Sequence, residues 1–232
     1  GEAFLDITAI MGGKEMRKEV EIWKRFEYRV KVPVTQQFGS KITFSATFYN
    51  DKEKVGCSGF YDGNDEYVIR FMPQTEGTWQ FYTQSNHDSL NQLSGEFQCT
   101  AASKENHGPV EVKHTYHFSY RDGSPYTPFG TTCYVWTHQS KELEETTLNT
   151  LKNHSFNKIR MCIFPKYYTY NETDPTIYPF LGSRASGFDF TQFNPAYFQH
   201  LEEKIDELDS LGIQADIILF HPYDNGRWGF DR

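Results

Sequence analysis

From about residue 126 onward the sequence alternates short apolar runs with helical repeats, and that order restricts the fold more than any other feature. "TPFGTTCYVW" reads as a strand, "SKELEETTLNTLKNH" as a helix with Leu143, Leu148 and Leu151 on one side, and "NKIRMCIF" as a second, mostly apolar strand. An irregular aromatic loop, "PKYYTYNETDPTIYPFLGSRASGFDF", leads to the second helix. There Asn194 is the N-cap, Pro195 takes the first helical position, Phe198, Leu201, Ile205 and Leu208 recur at helical spacing, and Gly212 ends the run. "IQADIILF" follows as a third strand. Strands separated by helices run parallel, and apolar parallel strands call for cover on both faces.

The preceding stretch has a different period. In "FEYRVKV", Phe26, Tyr28, Val30 and Val32 alternate with Glu27, Arg29 and Lys31, and "ITFSATF" repeats the pattern through Ile42, Phe44, Ala46 and Phe48. "EYVIRFMP", "GTWQFYT" and "GEFQCT" continue it between turn-forming stretches. About seven short strands over residues 18–100 predict an antiparallel sandwich of immunoglobulin type. The join, "YHFSYRDGSPYTP", carries a hairpin turn at Asp122-Gly123. Residues 1–15 fit neither pattern and read as a poorly ordered leader.

Composition narrows the partners. Thirty-one acidic residues face 23 basic ones, a net charge of -8, with no Lys/Arg stripe, which argues against nucleic acid or an anionic membrane. No apolar run approaches the roughly 20 residues of a membrane helix. Four cysteines without a CxxC spacing read as small buried residues rather than disulfides, which favours a cytoplasmic home. The alternative is a secreted or periplasmic protein with its signal peptide removed. His114 and His117, three apart on a strand, point to opposite faces, so no metal site is expected there, and no cofactor is called for.

In parallel α/β folds ligands gather at the carboxyl ends of the strands. The first exit offers Trp136 and His138, the second Lys166, Tyr167 and Tyr168, and the third His221, Tyr223, Asp224 and Trp228. Aromatic rings among hydrogen-bonding groups suit sugars, whose C–H faces stack and whose hydroxyls pair. Packing of one loop on another is the alternative for any single ring. Arg160 and Asp216, at even positions of adjacent strands, are expected to pair, since neither charge tolerates burial alone. The paired carboxylates of glycoside hydrolysis are not evident: Asp224 and Asp231 share one terminal loop, and Glu142, Glu144, Glu145, Glu202 and Glu203 read as solvated helix faces.

"PYTPFGTTCYVWTHQ", "FNKIRMCIFPKYY" and "ADIILFHPYDNGRWGF" together resemble the opening of the apiosidase-like glycoside hydrolases, which often follow an immunoglobulin-like domain. "DNGRWG" carries two residues more than the expected "DRWG". The resemblance implies a retaining TIM barrel with carboxylates after its fourth and seventh strands. It further implies that Trp136, His138, Arg160, His221, Tyr223 and Trp228 line the sugar-binding end, and that the enzyme acts inside the cell on imported oligosaccharides. The expected domains are a leader at 1–15, an immunoglobulin-like β-sandwich at 16–110 and a partial (β/α)8 TIM barrel at 111–232, with about three βα units of eight. The reading is the N-terminal part of a glycoside hydrolase, inactive alone because its catalytic acids lie beyond residue 232. The alternative is a non-catalytic glycan-binding or domain-docking sandwich. The partner of the open barrel edge is either the missing C-terminal part or a second copy of the chain.

Overall fold

The computed structural model describes residues 10–11, 14–15, 18–32, 42–221 and 226–230. The chain divides into two compact units, Gly1–Tyr126 and Thr127–Arg232. Within the leader, β1 (Ile10–Met11) and β2 (Lys14–Glu15) form a two-residue antiparallel ladder, and the rest of 1–15 lies outside the described residues.

Period two in the sequence becomes two facing sheets in the first unit. One contains, in spatial order, β3 (Glu19–Glu21), β10 (Ser94–Thr100), β9 (Gly77–Ser85), β5 (Phe44–Tyr49) and β6 (Lys54–Ser58). The other contains β4 (Phe26–Lys31), β8 (Glu66–Phe71) and β7 (Phe60–Tyr61). The inward residues are aromatic, and rings from opposite sheets meet directly: Phe26 stacks on Phe97 at 4.2 Å and Phe48 on Phe71 at 4.3 Å. Such contacts add about 0.5–1.5 kcal/mol each beyond the area they bury.

One pairing departs from the expected antiparallel order. β3 runs parallel to β10, with Cys99 opposite Val20, because the incoming chain takes the sheet edge beside the last strand. Its end is tied down by Asn106, whose Nδ2 donates to Glu21 Oε2 at 2.9 Å and to the Ile22 carbonyl at 2.8 Å.

The segment after the sandwich also turns twice rather than once. β11 (Val110–Lys113) and β12 (His117–Tyr120) pair through a tight turn in which His114 and Thr115 both have positive φ. His114 is therefore a turn residue and not a strand residue. The expected turn at Asp122-Gly123 is present as well, with Gly123 at φ 90° and its N–H donating to the Tyr120 carbonyl.

In the second unit β13 (Gly130–Thr132), β14 (Lys158–Cys162) and β17 (Gln214–Ile218) are parallel, in that order. α1 (Lys141–Lys152) and α2 (Pro195–Ser210) connect them. Ser140 caps α1 and Asn194 caps α2; α2 ends with Ile213 N–H bonded to the Leu208 carbonyl and Gly212 N–H to that of Asp209, a Schellman arrangement with Gly212 at φ 72°. Both helices lie on the face that presents Ile159, Met161 and Ala215. Among the described residues no helix covers the opposite face, where Lys158, Arg160 and Asp216 stand, so cover on both faces is not found here.

Four sequence expectations for this unit need correction. The first strand is only three residues long, and Trp136–His138 form a 3-10 turn beyond it. The aromatic loop contains a hairpin of β15 (Phe180–Ser183) and β16 (Gly187–Phe193), whose rings cluster with those of Phe164 and Phe230. Asp216 pairs with Lys158 at 2.9 Å and not with Arg160, which is exposed: on an open face neither charge is buried, and the neighbouring ammonium is within reach.

The fourth concerns Glu144, which is 3% exposed while Leu143 is 48% exposed. Glu144 shares the stripe of Leu148 and Leu151, and it accepts from His200 Nε2 at 2.9 Å with Lys204 Nζ at 3.8 Å.

Truncating Phe48, fully buried between the sheets, is expected to cost about 3–5 kcal/mol, read as a lowered denaturant midpoint. Glu144→Ala is expected to lower the stability of the second unit by about 2 kcal/mol, since among the described residues Lys204 then stays buried with Glu207 as its one carboxylate partner. An unchanged midpoint in this variant would show that the α1–α2 contact does not depend on the carboxylate.

Candidate functional site

The carboxyl ends of β14 and β17 are where the expected residues meet. Beyond β17 the main chain places His221 so that its Nε2 lies 3.3 Å from the Phe164 carbonyl, which follows β14. Further on, Arg227 spreads its guanidinium over the Tyr167 ring at 3.9 Å, and Trp228 meets the same ring edge-on at 6.2 Å. Tyr223 and Asp224 lie outside the described residues.

A carboxylate that sequence reasoning passed over holds this group together. Asp174 accepts from Arg227 Nε at 2.8 Å and Nη2 at 3.0 Å, and from the Trp228 indole N–H at 3.1 Å; Arg184 approaches at 3.4 Å. A two-pronged guanidinium–carboxylate bond fixes orientation as well as distance. The Arg227 hydrogen bonds hold the Asp174 carboxyl below the usual range and raise Arg227 in turn. Asp174 sits in the polar run "NETDP", 53 residues from Arg227, where no periodicity marks it.

Lys166 is buried against two rings of the same end, 3.9 Å from that of Tyr134 and 4.4 Å from that of Tyr168. Nearby Cys162 has its thiol pushed up to about 11 by burial, so it is no ready nucleophile.

Two expected ligand residues instead support the framework. Trp136, 4% exposed, packs in the core between sheet and helices, and its indole N–H faces Met161 Sδ at 3.4 Å. Its ring offers no stacking surface. Trp228 is likewise 5% exposed and stacks on Phe230 at 5.8 Å. Rings of this unit that do reach the surface include Phe129, Tyr170, Phe190, Phe193 and Phe220, the last 80% exposed. Arg160 is exposed on the open face of the sheet, two residues before the end of β14.

His138 bridges the first exit to α2. Its Nε2 is 3.1 Å from the Ile163 carbonyl and 2.7 Å from the Tyr197 hydroxyl, which itself bonds the same carbonyl. The three fit when Tyr197 O–H donates to Ile163 and Nε2–H donates to both oxygens, which leaves Nδ1 buried without a partner among the described residues. Burial pushes this imidazole down to about 4, and burial also raises Tyr197 well above its ordinary value, so both are neutral near pH 7. Among the described residues there is no cluster of His, Cys, Asp or Glu able to hold a metal.

Residues 112–232 match the family model described as "Apiosidase-like, catalytic domain", and residues 19–86 match a domain of unknown function, DUF5060. The chain is 46% identical to a candidate glycoside hydrolase from Bacteroides vulgatus ATCC 8482, whose crystal structure superposes with a TM-score of 0.88. That match covers 93% of this chain and 44% of the other, so the chain spans less than half the length of that protein. A family 39 glycoside hydrolase from Bacteroides cellulosilyticus WH2 is 9% identical at TM-score 0.25, covering 91% of this chain and 34% of that one. The Lin-41 filamin domain is 10% identical at TM-score 0.29, covering 36% and 83%. Likeness at these two scores supports no conclusion. Among curated proteins nothing matches.

The neutral His138 has a consequence for pH. Its folded value of about 4 lies below the ordinary 6.5, so the unfolded chain takes the proton first. Stability is therefore expected to fall by about 3 kcal/mol as pH drops from 6.5 to 4, and His138→Gln to flatten that slope. Melting curves across this window measure it; an equal slope in the variant would mean that other groups cause the loss.

Proposed function

The chain belongs to the apiosidase-like family, and on that footing we propose that it is the N-terminal part of a glycoside hydrolase acting on oligosaccharides. In this reading the first unit is an immunoglobulin-like sandwich, and β13, β14 and β17 with their two helices open a (β/α)8 barrel. One observation carries the reading: both helices cover one face of the parallel sheet, while the other keeps Lys158, Arg160 and Asp216, as an interior lined with polar groups would. Sugar then enters at the carboxyl ends of the strands, where Tyr167 and His221 are poised. Asp174 fixes Arg227 and Trp228 behind them, and Trp136 and His138 brace the first exit from within.

Hydrolysis needs one carboxyl group able to donate a proton and a second as nucleophile or base. Asp174 is unsuited to the acid role, because Arg227 stabilises its ionised form, and Glu144 is occupied between the helices. The resemblance to the apiosidase-like enzymes implies instead that the two acids follow the fourth and seventh strands of a full barrel, in a retaining arrangement, and that is the assignment we adopt. Four free cysteines, two of them buried, support a reducing, cytoplasmic setting for such an enzyme.

Assays with aryl glycosides test the assignment. The 232-residue chain is expected to release no product, and a protein extended through the remaining βα units is expected to turn over. In the extended protein His221→Ala is expected to lower kcat/KM about 100-fold, the scale of a lost hydrogen bond to the transition state. Turnover by the short chain would place the acids within it, and an unaffected variant would remove His221 from the sugar site.

A further inference from the structure

The outer face of the five-stranded sheet carries a feature that core packing does not require. On β9, Phe81 and Thr83 point inward and are buried, so Tyr82 and Gln84 point outward, opposite Thr47 and Ser45 of β5. Around Gln84 lies a shallow depression of about 510 Å3, within the roughly 300–1,000 Å3 of small-ligand sites. Its lining is one aromatic ring with hydroxyl and carboxamide side chains, and none of its residues is charged, in a chain of which 23% is charged.

Part of this lining is spent on the fold, since Ser85 Oγ donates to the Thr43 carbonyl at 2.6 Å and Asn86 Oδ1 accepts from Thr43 N–H at 2.9 Å, but three carboxamides keep polar groups that are unpaired among the described residues. Asn91 accepts from Ser85 N–H at 3.0 Å through its carbonyl oxygen, and its amide nitrogen has no acceptor among the described residues. The carboxamides of Gln84 and Gln92 have no hydrogen-bond partner among the described residues, and both residues are exposed. Tyr82 forms the wall on one side. Beyond it stand Tyr49, with ring centroids 6.1 Å apart, and Lys54, whose Nζ is 5.7 Å from the Tyr82 ring, in a second depression of about 450 Å3 that holds the charged residues.

This lining discriminates between ligand classes. A charged ligand finds no countercharge beside Gln84, and an apolar one leaves three amide groups without partners. An uncharged, hydroxyl-rich ligand satisfies both conditions: its hydroxyls pair with the amides, and a C–H face rests on the ring. We propose that this face of the first unit binds an uncharged oligosaccharide, with Tyr82 as the stacking platform and Gln84, Asn91 and Gln92 as its hydrogen-bonding partners. The site is formed by residues of the first unit alone and stands whether or not the strand exits of the second belong to a hydrolase.

Electrophoresis of the whole chain through native gels containing galactomannan, xyloglucan or dextran tests it, with polygalacturonate as the charged comparison. At least one neutral polysaccharide is expected to retard the chain, and polygalacturonate is not. Tyr82→Ala and the double variant Gln84→Ala/Gln92→Ala are each expected to weaken the retardation at least tenfold. The double variant alters only exposed side chains, so its melting temperature should match the parent's and its result stands even if Tyr82→Ala fails to fold. Free migration in all three neutral gels, retardation by polygalacturonate alone, or undiminished retardation of the double variant would each overturn the proposal.

Discussion

Neighbouring side chains on a strand point to opposite faces, and in both units the rest of the architecture follows from which face is apolar. In the first unit Phe26, Phe48, Phe71 and Phe97 all fall inward, and the two sheets close over their rings. In the second, Ile159 and Met161 of β14 fall on one side and Lys158 and Arg160 on the other, so both helices are drawn to the same face. A one-residue slip of β14 would put the charges under the helices, at a cost in desolvation that the unit could not offset.

Where the sheets end, polar ties take over from apolar packing. Asp174 binds the segment after β17, and His138 with Tyr197 binds the 3-10 turn to the Ile163 carbonyl. Such ties have narrow geometry, so they set the direction of a loop more sharply than stacked rings do. The same economy explains Glu144, whose carboxylate gains His200 and Lys204 as partners on an otherwise apolar stripe.

Much of this was legible beforehand. The capping of α2 by Asn194 and its end at Gly212 depend on contacts a few residues apart, and they stand where the residue types put them. Glu144 could have been found, since it precedes Leu148 and Leu151 by four and seven residues; a glutamate there is easily taken for a solvated one. The β15–β16 hairpin left no comparable signal, because its strands are mostly exposed and its rings act through neighbours distant in sequence.

By itself the sequence determined the two periods, the strands and helices they imply, the parallel order of the second unit and the family to which it belongs. These rest on local spacing and on short motifs, which are properties of the chain read in order. Only the tertiary structure decided which rings remain available: Trp136 and Trp228 are consumed in packing, while Tyr82 and the exposed phenylalanines are not. It also decided which charges meet, joining Asp174 to Arg227 and Lys158 to Asp216. Burial and pairing depend on what lies across space, and residues far apart along a chain carry no mark of the neighbours they will acquire.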